Sequence, residues 1–298
     1  MVDRRRQVIA LVSGLGWHVQ DLQRAARDLD LEFVAVPFPA LEARVGAGNS
    51  TQADRRLLDS AGAILVRMMP PGSLEQVVYR MDALHRLERL GVPVLNSPRA
   101  VETAVDKYLT LVRLQAEGLQ VPETWVGETA EAALAAFDEL GGDVVIKPLF
   151  GSEGRGLVRV TDRETAWRVA HALQRVGSVL YLQKFLPHGG QDTRLFVIGG
   201  QVIGAIRRQA PAGEWRTNVA QGARAVAIPV DLELASQAVR AAAAVGAELA
   251  GVDIVRTVEG ADYVIEVNAV PGWKALAQAT GIDVAKAILS HVRGRFRC

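Results

Sequence analysis

The sequence of 298 residues contains one cysteine, almost no net charge and no hydrophobic run long enough to cross a bilayer. The cysteine, Cys298, is the last residue, which excludes a disulfide framework and a cysteine-based zinc site and argues against a catalytic thiol. Lysine and arginine together number 34, and aspartate and glutamate 33, so no overall charge favours a nucleic acid or a membrane. We therefore expect a cytoplasmic protein that binds neither.

Strand and helix patterns alternate over the first third of the chain. The chain starts with basic residues followed by an apolar segment, as a signal peptide does, but the apolar segment, residues 8–12, is too short for one. Residues 8–12 are therefore interpreted as a first buried strand. A helical pattern over 19–29, two more apolar strands and a helical pattern over 74–90 follow. This alternation predicts a parallel sheet covered by helices, an α/β domain over residues 1–98.

The rest of the chain is divided into two α+β units. A helix start at Ser97 and Pro98 leads into residues 99–186, which contain strands around the glycine-rich turn GSEGRG. Residues 187–298 are rich in strands, carry a hairpin signal at Gly199 and Gly200, and close with a helix.

Two strands near the C-terminus, GVDIVRT and DYVIEVN, place three oxygen-bearing side chains on one face. With the turn at residues 259–260, antiparallel pairing sets Asp253 opposite Glu266, and Asn268 shares their face by the period of two. Two opposed carboxylates repel each other and are costly to bury unless they are neutralised. Mg²⁺ removes this conflict, because it takes oxygen ligands, typically one or two carboxylates with substrate phosphates. The alternative is that these side chains face solvent or pair with Arg256.

A second candidate site is a strand that ends in Lys147 and leads into a loop with Gly151, Gly154 and Gly156. Glycines let backbone N–H groups wrap an anion and a lysine supplies a point charge, as in a phosphate cradle. Lys107, among apolar residues near a helix start, is a further candidate. The alternatives are a flexible hairpin loop and ordinary surface lysines. The Walker motif and the third glycine of the dinucleotide fingerprint are missing, which argues against the usual nucleotide-binding folds.

Several motifs, taken in order, resemble the RimK-like α-L-glutamate ligases of the ATP-grasp superfamily. They are DKYLT, VIKPLFGSEGRG, YLQKFL, DTRLFVIGGQVIGAIRR, GEWRTNVAQGA, AGVDIV and VIEVNAVPGW, from about residue 98 to residue 285. The resemblance implies an ATP-grasp fold with a central subdomain over 99–186 and a C-terminal subdomain over 187–298. The domain over 1–98 would precede it as the N-terminal parallel-sheet domain.

The resemblance also implies which residues bind ATP and Mg²⁺. The nucleotide would contact Lys107, Lys147, Gly151, Ser152, Gly154, Gly156, Gln183, Lys184, Phe185, Leu186, Asp192, Arg216, Thr217 and Asn218. The two lysines would contact the α- and β-phosphates, and residues 183–186 would read adenine through their backbone. Lys184 departs from the family, which often has an acidic residue there. Mg²⁺, or Mn²⁺ in its place, would be held by Asp253, Glu266 and Asn268.

The implied reaction joins a carboxylate to an amine. ATP converts the carboxylate into an acyl phosphate, which the amine then attacks, and this chemistry needs alignment and charge neutralisation rather than a protein nucleophile. Arginines bind carboxylates and the tetrahedral intermediate in a bidentate manner. The candidate catalytic residues are Arg207, Arg216 and Asn218, with Arg194 as a further candidate.

The resemblance indicates L-glutamate as the amine and leaves the acceptor open between a peptide, a carrier protein and a pterin-type coenzyme. It is also compatible with a homo-oligomer. Two alternatives remain: an ATP-grasp ligase that uses another amino acid, and an inactive nucleotide-binding regulatory protein. Arg67 is a candidate for acceptor binding, because ligands of open α/β sheets bind at the carboxyl ends of strands. Trp17 and His18 follow the first strand in the same way, and a packing role fits them equally well.

Overall fold

The computed structural model describes residues 6–46, 48–151, 154–219 and 222–296. Ser152 and Cys298, both named above, lie outside these residues. The described strands are β1 (Gln7–Val12), β2 (Glu32–Pro37), β3 (Leu41–Arg44), β4 (Ser50–Ala53), β5 (Arg56–Leu57), β6 (Ala63–Val66), β7 (Val94–Leu95), β8 (Thr124–Gly127), β9 (Val144–Lys147), β10 (Val158–Val160), β11 (Leu180–Lys184), β12 (Gln191–Ile198), β13 (Gln201–Gln209), β14 (Arg224–Ile228), β15 (Leu249–Arg256) and β16 (Asp262–Asn268). The described helices are α1 (Trp17–Asp28), α2 (Leu74–Arg89), α3 (Pro98–Val105), α4 (Lys107–Ala116), α5 (Ala130–Glu139), α6 (Arg163–Arg175), α7 (Leu232–Val245), α8 (Lys274–Thr280) and α9 (Val284–Arg293).

Capping side chains set where several helices begin. Ser97 accepts a hydrogen bond from the N–H of Ala100 and Pro98 takes the first helical position, so α3 starts where the sequence predicts. Asp106 accepts from the N–H of Leu109 and thereby starts α4 at Lys107. Among the described helices, none combines the length and apolar character that a membrane crossing requires.

The N-terminal sheet is parallel, as predicted, with the strand order β2-β1-β6-β7. Every residue of β1 is buried, because helices cover both faces of the sheet. The structure adds a small antiparallel sheet, β3-β4-β5, between β2 and β6 of the chain. Its apolar residues Leu41 and Ala53 join the core under α2, which explains why the segment is ordered.

The central sheet has the order β10-β9-β11-β8 and is antiparallel. Helices α5 and α6 pack on one of its faces through an apolar cluster that includes Ala133, Phe137 and Ala166. The other face is left to the cavity described below, which is lined by side chains of β9 and β11.

The C-terminal sheet has the order β14-β13-β12-β15-β16 and is antiparallel. Its predicted hairpin is confirmed, with Gly199 and Gly200 at φ values of +55° and +79° between β12 and β13. Helix α7 covers one face, while α8 and α9 pack in the same core as α1 and the N-terminal sheet. The first and last parts of the chain therefore share one core.

The carboxylate hairpin pairs Asp253 with Glu266, as predicted, but for a different reason. Arg256 pairs with Asp262, so the turn is wider than the expected two residues. A bulge at Ile265 adds one residue to β16 and restores the predicted pair.

The side chain of Asn96 connects the N-terminal domain to the C-terminal sheet. Its Nδ2 donates to the carbonyl oxygens of Leu249 (2.7 Å) and Ala269 (2.5 Å), and its Oδ1 accepts from the N–H groups of Glu248 (2.8 Å) and Leu249 (2.9 Å). Asn96 is almost completely buried. This junction holds together the start of β15 and the end of β16. These two strands carry the predicted metal ligands.

Candidate active site

A cavity between the central and C-terminal sheets gathers most of the predicted nucleotide and metal residues. Those that line it are Lys107, Lys147, Gly151, Gly154, Gln183, Lys184, Phe185, Leu186, Asp192, Arg216, Thr217, Asn218, Asp253 and Glu266. Gly156 and Asn268 do not line this cavity, although Gly156 belongs to the same loop. We call it the nucleotide cavity.

Two lysines and one carboxylate dominate the charge at one side of the nucleotide cavity. Lys147 ends β9, and its Nζ donates to Oε1 of Gln183 on β11 (2.5 Å). Burial lowers the pKa of Lys147 to about 8, with Glu266 opposing and Lys107 reinforcing this shift. Burial also lowers the pKa of Lys107, whose Nζ donates to the carbonyl oxygen of Gly151 (2.8 Å). This side of the cavity is therefore suited to an anion.

The glycine-rich loop lies against Asn218. Gly154 has φ +71°, and a Cβ at this position would lie 2.4 Å from Oδ1 of Asn218. Glycine is needed here for both the backbone conformation and the close approach. The contact of Lys107 with Gly151 holds the other end of the loop near the cavity.

The strand end at 183–186 leaves one backbone donor for a ligand. The N–H groups of Lys184 and Phe185 donate to the carbonyl oxygens of Glu123 and Asp143, both at 2.9 Å. In the described part of the chain, the N–H of Leu186 has no backbone acceptor. Lys184, which departs from the family pattern, points its Nζ to the exposed surface, where it forms an ion pair with Glu123 (3.0 Å).

A chain of buried ion pairs crosses the C-terminal sheet. Arg194 holds both carboxylate oxygens of Asp253 at 2.6 Å, and Arg208 contacts Asp253 at 3.0 Å. Arg208 also makes a bidentate pair with Asp192, which accepts from the hydroxyl of Thr217 (2.5 Å). Burial would raise the pKa of Asp253, but the two arginines more than offset it and hold this pKa below its ordinary value. Asp253 and Asp192 are therefore already neutralised within the chain.

Glu266 and Asn268 have no such partners. Glu266 lines the cavity without a hydrogen-bond or ion-pair partner in the described residues, and Asn268 Nδ2 is buried without one. No group of three His, Cys, Asp or Glu residues within the described ranges is arranged to hold a metal. A carboxylate and an amide beside two lysines, with Asp253 as a third oxygen donor, nevertheless fit the all-oxygen preference of Mg²⁺.

Arg207 does not line the nucleotide cavity. It pairs with Thr193, is exposed, and lines a separate cavity with Asp192 and Asp231 on the α7 side of the sheet. A bulge at Ile203 shifts the register of β12 and β13 by one residue, so that Arg208 faces Asp192. Sequence reasoning missed Arg208, because a bulge-free hairpin would place Arg207 opposite Asp192.

The two remaining arginine candidates lie at different cavities. Arg216 lines the nucleotide cavity and pairs with Glu214 (2.6 Å), which raises the pKa of Arg216. Arg194 lines a second cavity of about 330 Å³, together with His18 and Arg67.

This second cavity, the substrate cavity, lies where the N-terminal sheet meets the end of β16. It shares Arg208, Asn218 and Glu266 with the nucleotide cavity, and Asn268 also lines it. The two cavities thus meet at a guanidinium, an amide and a carboxylate. Arg67 belongs to this second cavity rather than to the first.

Comparisons with known proteins show which family the chain resembles. Residues 104–292 match the model of the RimK-like ATP-grasp domain. The chain is 34% identical to a tetrahydromethanopterin:alpha-L-glutamate ligase of Methanosarcina acetivorans, across 96% of this chain and 98% of that protein. It is also similar to a RimK domain ATP-grasp protein of Sphaerobacter thermophilus, with a TM-score of 0.73, 25% identity, and coverage of 96% and 98%.

The ATP-grasp ligase PsnB, in complex with a minimal precursor, Mg and ADP, has the same fold, with a TM-score of 0.74 and 23% identity over 98% of both chains. The predicted fold and the predicted class of enzyme, an ATP-dependent ligase, are confirmed by these matches. The chain belongs to the RimK-like family of ATP-grasp ligases.

Proposed function

We propose that the protein joins L-glutamate to the carboxylate of an acceptor through an acyl phosphate formed from ATP. The observation that carries this proposal is the meeting of the nucleotide and substrate cavities at Arg208, Asn218 and Glu266. A carboxylate in the substrate cavity would face the phosphates of a nucleotide across these three side chains.

The nucleotide cavity supplies contacts for each part of ATP. Adenine contacts the backbone at Leu186, and Asp192 lies near the ribose. Lys107, Lys147 and the glycine-rich loop bind the phosphates, since the lysines carry most of the positive charge on that side. Thr217 and Gly156 help to shape this cavity and its loop.

Glu266 and Asn268 would hold Mg²⁺, which neutralises phosphate charge when it is bound. Asp253 joins this set only by giving up part of its pairing with Arg194. Mn²⁺ in place of Mg²⁺ is part of the same proposal, because it accepts the same oxygen ligands.

In the reaction, an oxygen of the acceptor carboxylate attacks the γ-phosphorus and ADP leaves. The glutamate amine then attacks the acyl carbon, and phosphate leaves. Arg208 and Arg194 are placed to bind the carboxylate and the charged intermediate, the role first predicted for Arg207. Asn218 and Arg216 contact the transferred group from the nucleotide side.

The relative from Methanosarcina acetivorans supports glutamate as the amine, because it is similar over nearly its whole length. Its name also makes a pterin-type coenzyme the first acceptor to test, ahead of a peptide or a carrier protein. A cytoplasmic location and a homo-oligomeric state stay predictions of the same proposal.

The test supplies the protein with ATP, Mg²⁺, each of the twenty amino acids in turn, and pterin, peptide and carrier-protein acceptors. We expect release of ADP that depends on both glutamate and one acceptor, with a product heavier by one glutamate residue in mass spectrometry. If turnover occurred with another amino acid and not with glutamate, that amino acid would be the amine substrate. Nucleotide binding without turnover for every pair would identify an inactive regulatory protein instead.

A further inference from the structure

Arg67 is a buried arginine without a buried carboxylate partner. It follows β6, its Nη2 donates to the carbonyl oxygen of Pro271 (2.9 Å), and its guanidinium lies 4.6 Å from the centre of the Trp273 ring. Only 7% of Arg67 is exposed, yet no carboxylate within the described residues forms an ion pair with it. Arg208, which is equally buried, holds two carboxylates. Burial of an unpaired charge is costly, so Arg67 is a candidate for pairing with a ligand.

The charges that line the substrate cavity are not balanced. Arg194 and Arg208 are neutralised by Asp253 and Asp192, which leaves Arg67 and Lys274 as cations without a carboxylate partner in the described chain. Glu266 is the one carboxylate among the described residues that line this cavity, and it also faces the phosphate lysines.

His18 adds no charge to this cavity at neutral pH. Burial, reinforced by Arg67, lowers the pKa of His18 to about 4. Its Nε2 accepts a hydrogen bond from the backbone N–H of Trp273 (3.2 Å), as a neutral ring can. The cavity therefore carries an excess of positive charge on the side of the N-terminal domain.

We propose that Arg67 and Lys274 form a subsite for a carboxylate of the substrate that does not react. This inference rests on the proposed function, which places the reacting carboxylate where the two cavities meet, at Arg208, Asn218 and Glu266. It names the substrate class as a molecule with a second carboxylate a few bonds from the reacting centre. Both the acceptor and glutamate can supply this group, and the experiment below distinguishes them.

The surroundings of Arg67 favour carboxylate binding because they hold the guanidinium in place. Pro271 occupies one of its five N–H donors, and Trp273 supports its face. The remaining donors are available for a bidentate pair, and little side-chain freedom is left to lose.

The test compares glutarate with pentanoate, which has the same number of carbons but only one carboxylate. Calorimetric titration of the full chain should show that glutarate binds at least about tenfold more tightly. Arg67→Gln should abolish this difference, and Arg67→Lys should retain part of it. A wild-type protein without the preference, or an Arg67→Gln variant that keeps it, would overturn the inference.

Arg80→Gln is the matched control. Arg80 is also buried in the N-terminal domain and donates to a proline carbonyl, that of Pro70 (2.8 Å), but it does not line the substrate cavity. This variant should keep the glutarate preference. If Arg67→Gln fails to fold, Lys274→Ala replaces it, since Lys274 is exposed. Glutarate should bind Lys274→Ala at least about threefold more weakly, while pentanoate affinity should not change.

Turnover of the Arg67 variants identifies the substrate that carries the group. A rise in the KM of the acceptor alone assigns the carboxylate to the acceptor, and a rise in the KM of glutamate alone assigns it to glutamate. An unchanged KM for both, in an active enzyme, contradicts the inference and leaves the proposed function intact. A wild-type protein without turnover refutes the proposed function, and the glutarate comparison then decides the subsite by itself.

Discussion

Two asparagines near one junction, the buried Asn96 and the half-buried Asn268, differ in how many of their amide groups find hydrogen-bond partners within the fold. Asn96 uses both atoms of its amide in four hydrogen bonds to the backbone of the C-terminal sheet. Asn268, adjacent to Ala269 of the same junction, has a buried Nδ2 without a partner in the described residues. Since buried polar groups are normally paired, the fold explains the first amide, and the second is a candidate for binding a ligand.

The same contrast separates the buried charges. Arg208, Asp192 and Asp253 neutralise one another within the sheet. Glu266 and Arg67 lie at the cavities and have no ion-pair partner in the described chain. We call the first group the closed cluster. The open cluster consists of Glu266, Arg67, Asn268 and the two lysines of the nucleotide cavity, Lys107 and Lys147. The comparison predicts that a change in the open cluster lowers activity with little effect on stability, and that a change in a closed contact such as those of Asn96 lowers stability.

The largest effect is expected for Glu266→Gln. This change should lower the rate of ADP release by about 10³-fold, because loss of a metal ligand removes several kcal/mol of transition-state stabilisation. Thermal unfolding should change little, since Glu266 makes no hydrogen bond within the described chain. Glu259→Gln, an exposed position in the turn of the same hairpin, should keep full activity. An active Glu266→Gln protein would show that the metal assignment is wrong.

The next effect is expected for Asn96→Ala, which breaks the closed contacts of the junction. The change leaves two backbone N–H groups and two carbonyl oxygens without their partner, and should lower the free energy of unfolding by about 3 kcal/mol. Denaturant unfolding measures this loss. Asn268→Ala is the matched variant, and it should lose activity while its free energy of unfolding falls by less than about 1 kcal/mol. Equal destabilisation of both variants would contradict the comparison.

The open cluster could be found from the sequence because its residues are chemically unusual where they stand. A carboxylate and an amide on an apolar strand identified Glu266 and Asn268, and a lysine before a glycine-rich loop identified Lys147. The closed contacts could not be found in this way. Asn96 follows an ordinary apolar segment, and its partners are more than 150 residues away in the chain.

Two bulges show the limit of predicting registers from turns. The bulge at Ile265 compensates for a wide turn, so the predicted pair of Asp253 and Glu266 is observed. The bulge at Ile203 follows a tight turn and places Arg208, rather than Arg207, at the cavity. A one-residue shift moves every side chain to the opposite face, and nothing in either strand sequence indicates it.

The smallest predicted effect is a pH dependence of nucleotide binding that comes from Lys147. Its pKa is lowered to about 8 by burial, with Glu266 and Lys107 as the charged groups that face it. The charged form binds phosphate, so the affinity for a non-hydrolysable ATP analogue should be about fivefold weaker at pH 9 than at pH 8. Lys147→Arg should remove most of this dependence, because arginine stays charged over the whole range.

The lowered pKa of Lys147 has the opposite effect on the stability of the free protein: stability rises with pH where nucleotide affinity falls. Between about pH 8 and the ordinary lysine pKa of about 10.4, the unfolded chain binds more protons at Lys147 than the folded chain does. The contribution of Lys147 therefore makes the free protein more stable as pH rises through this window, while nucleotide affinity falls. Arginine at position 147 should flatten both profiles. If the affinity profile of Lys147→Arg matched that of the wild type, the titrating group would lie elsewhere in the open cluster, with Lys107 as the next residue to change.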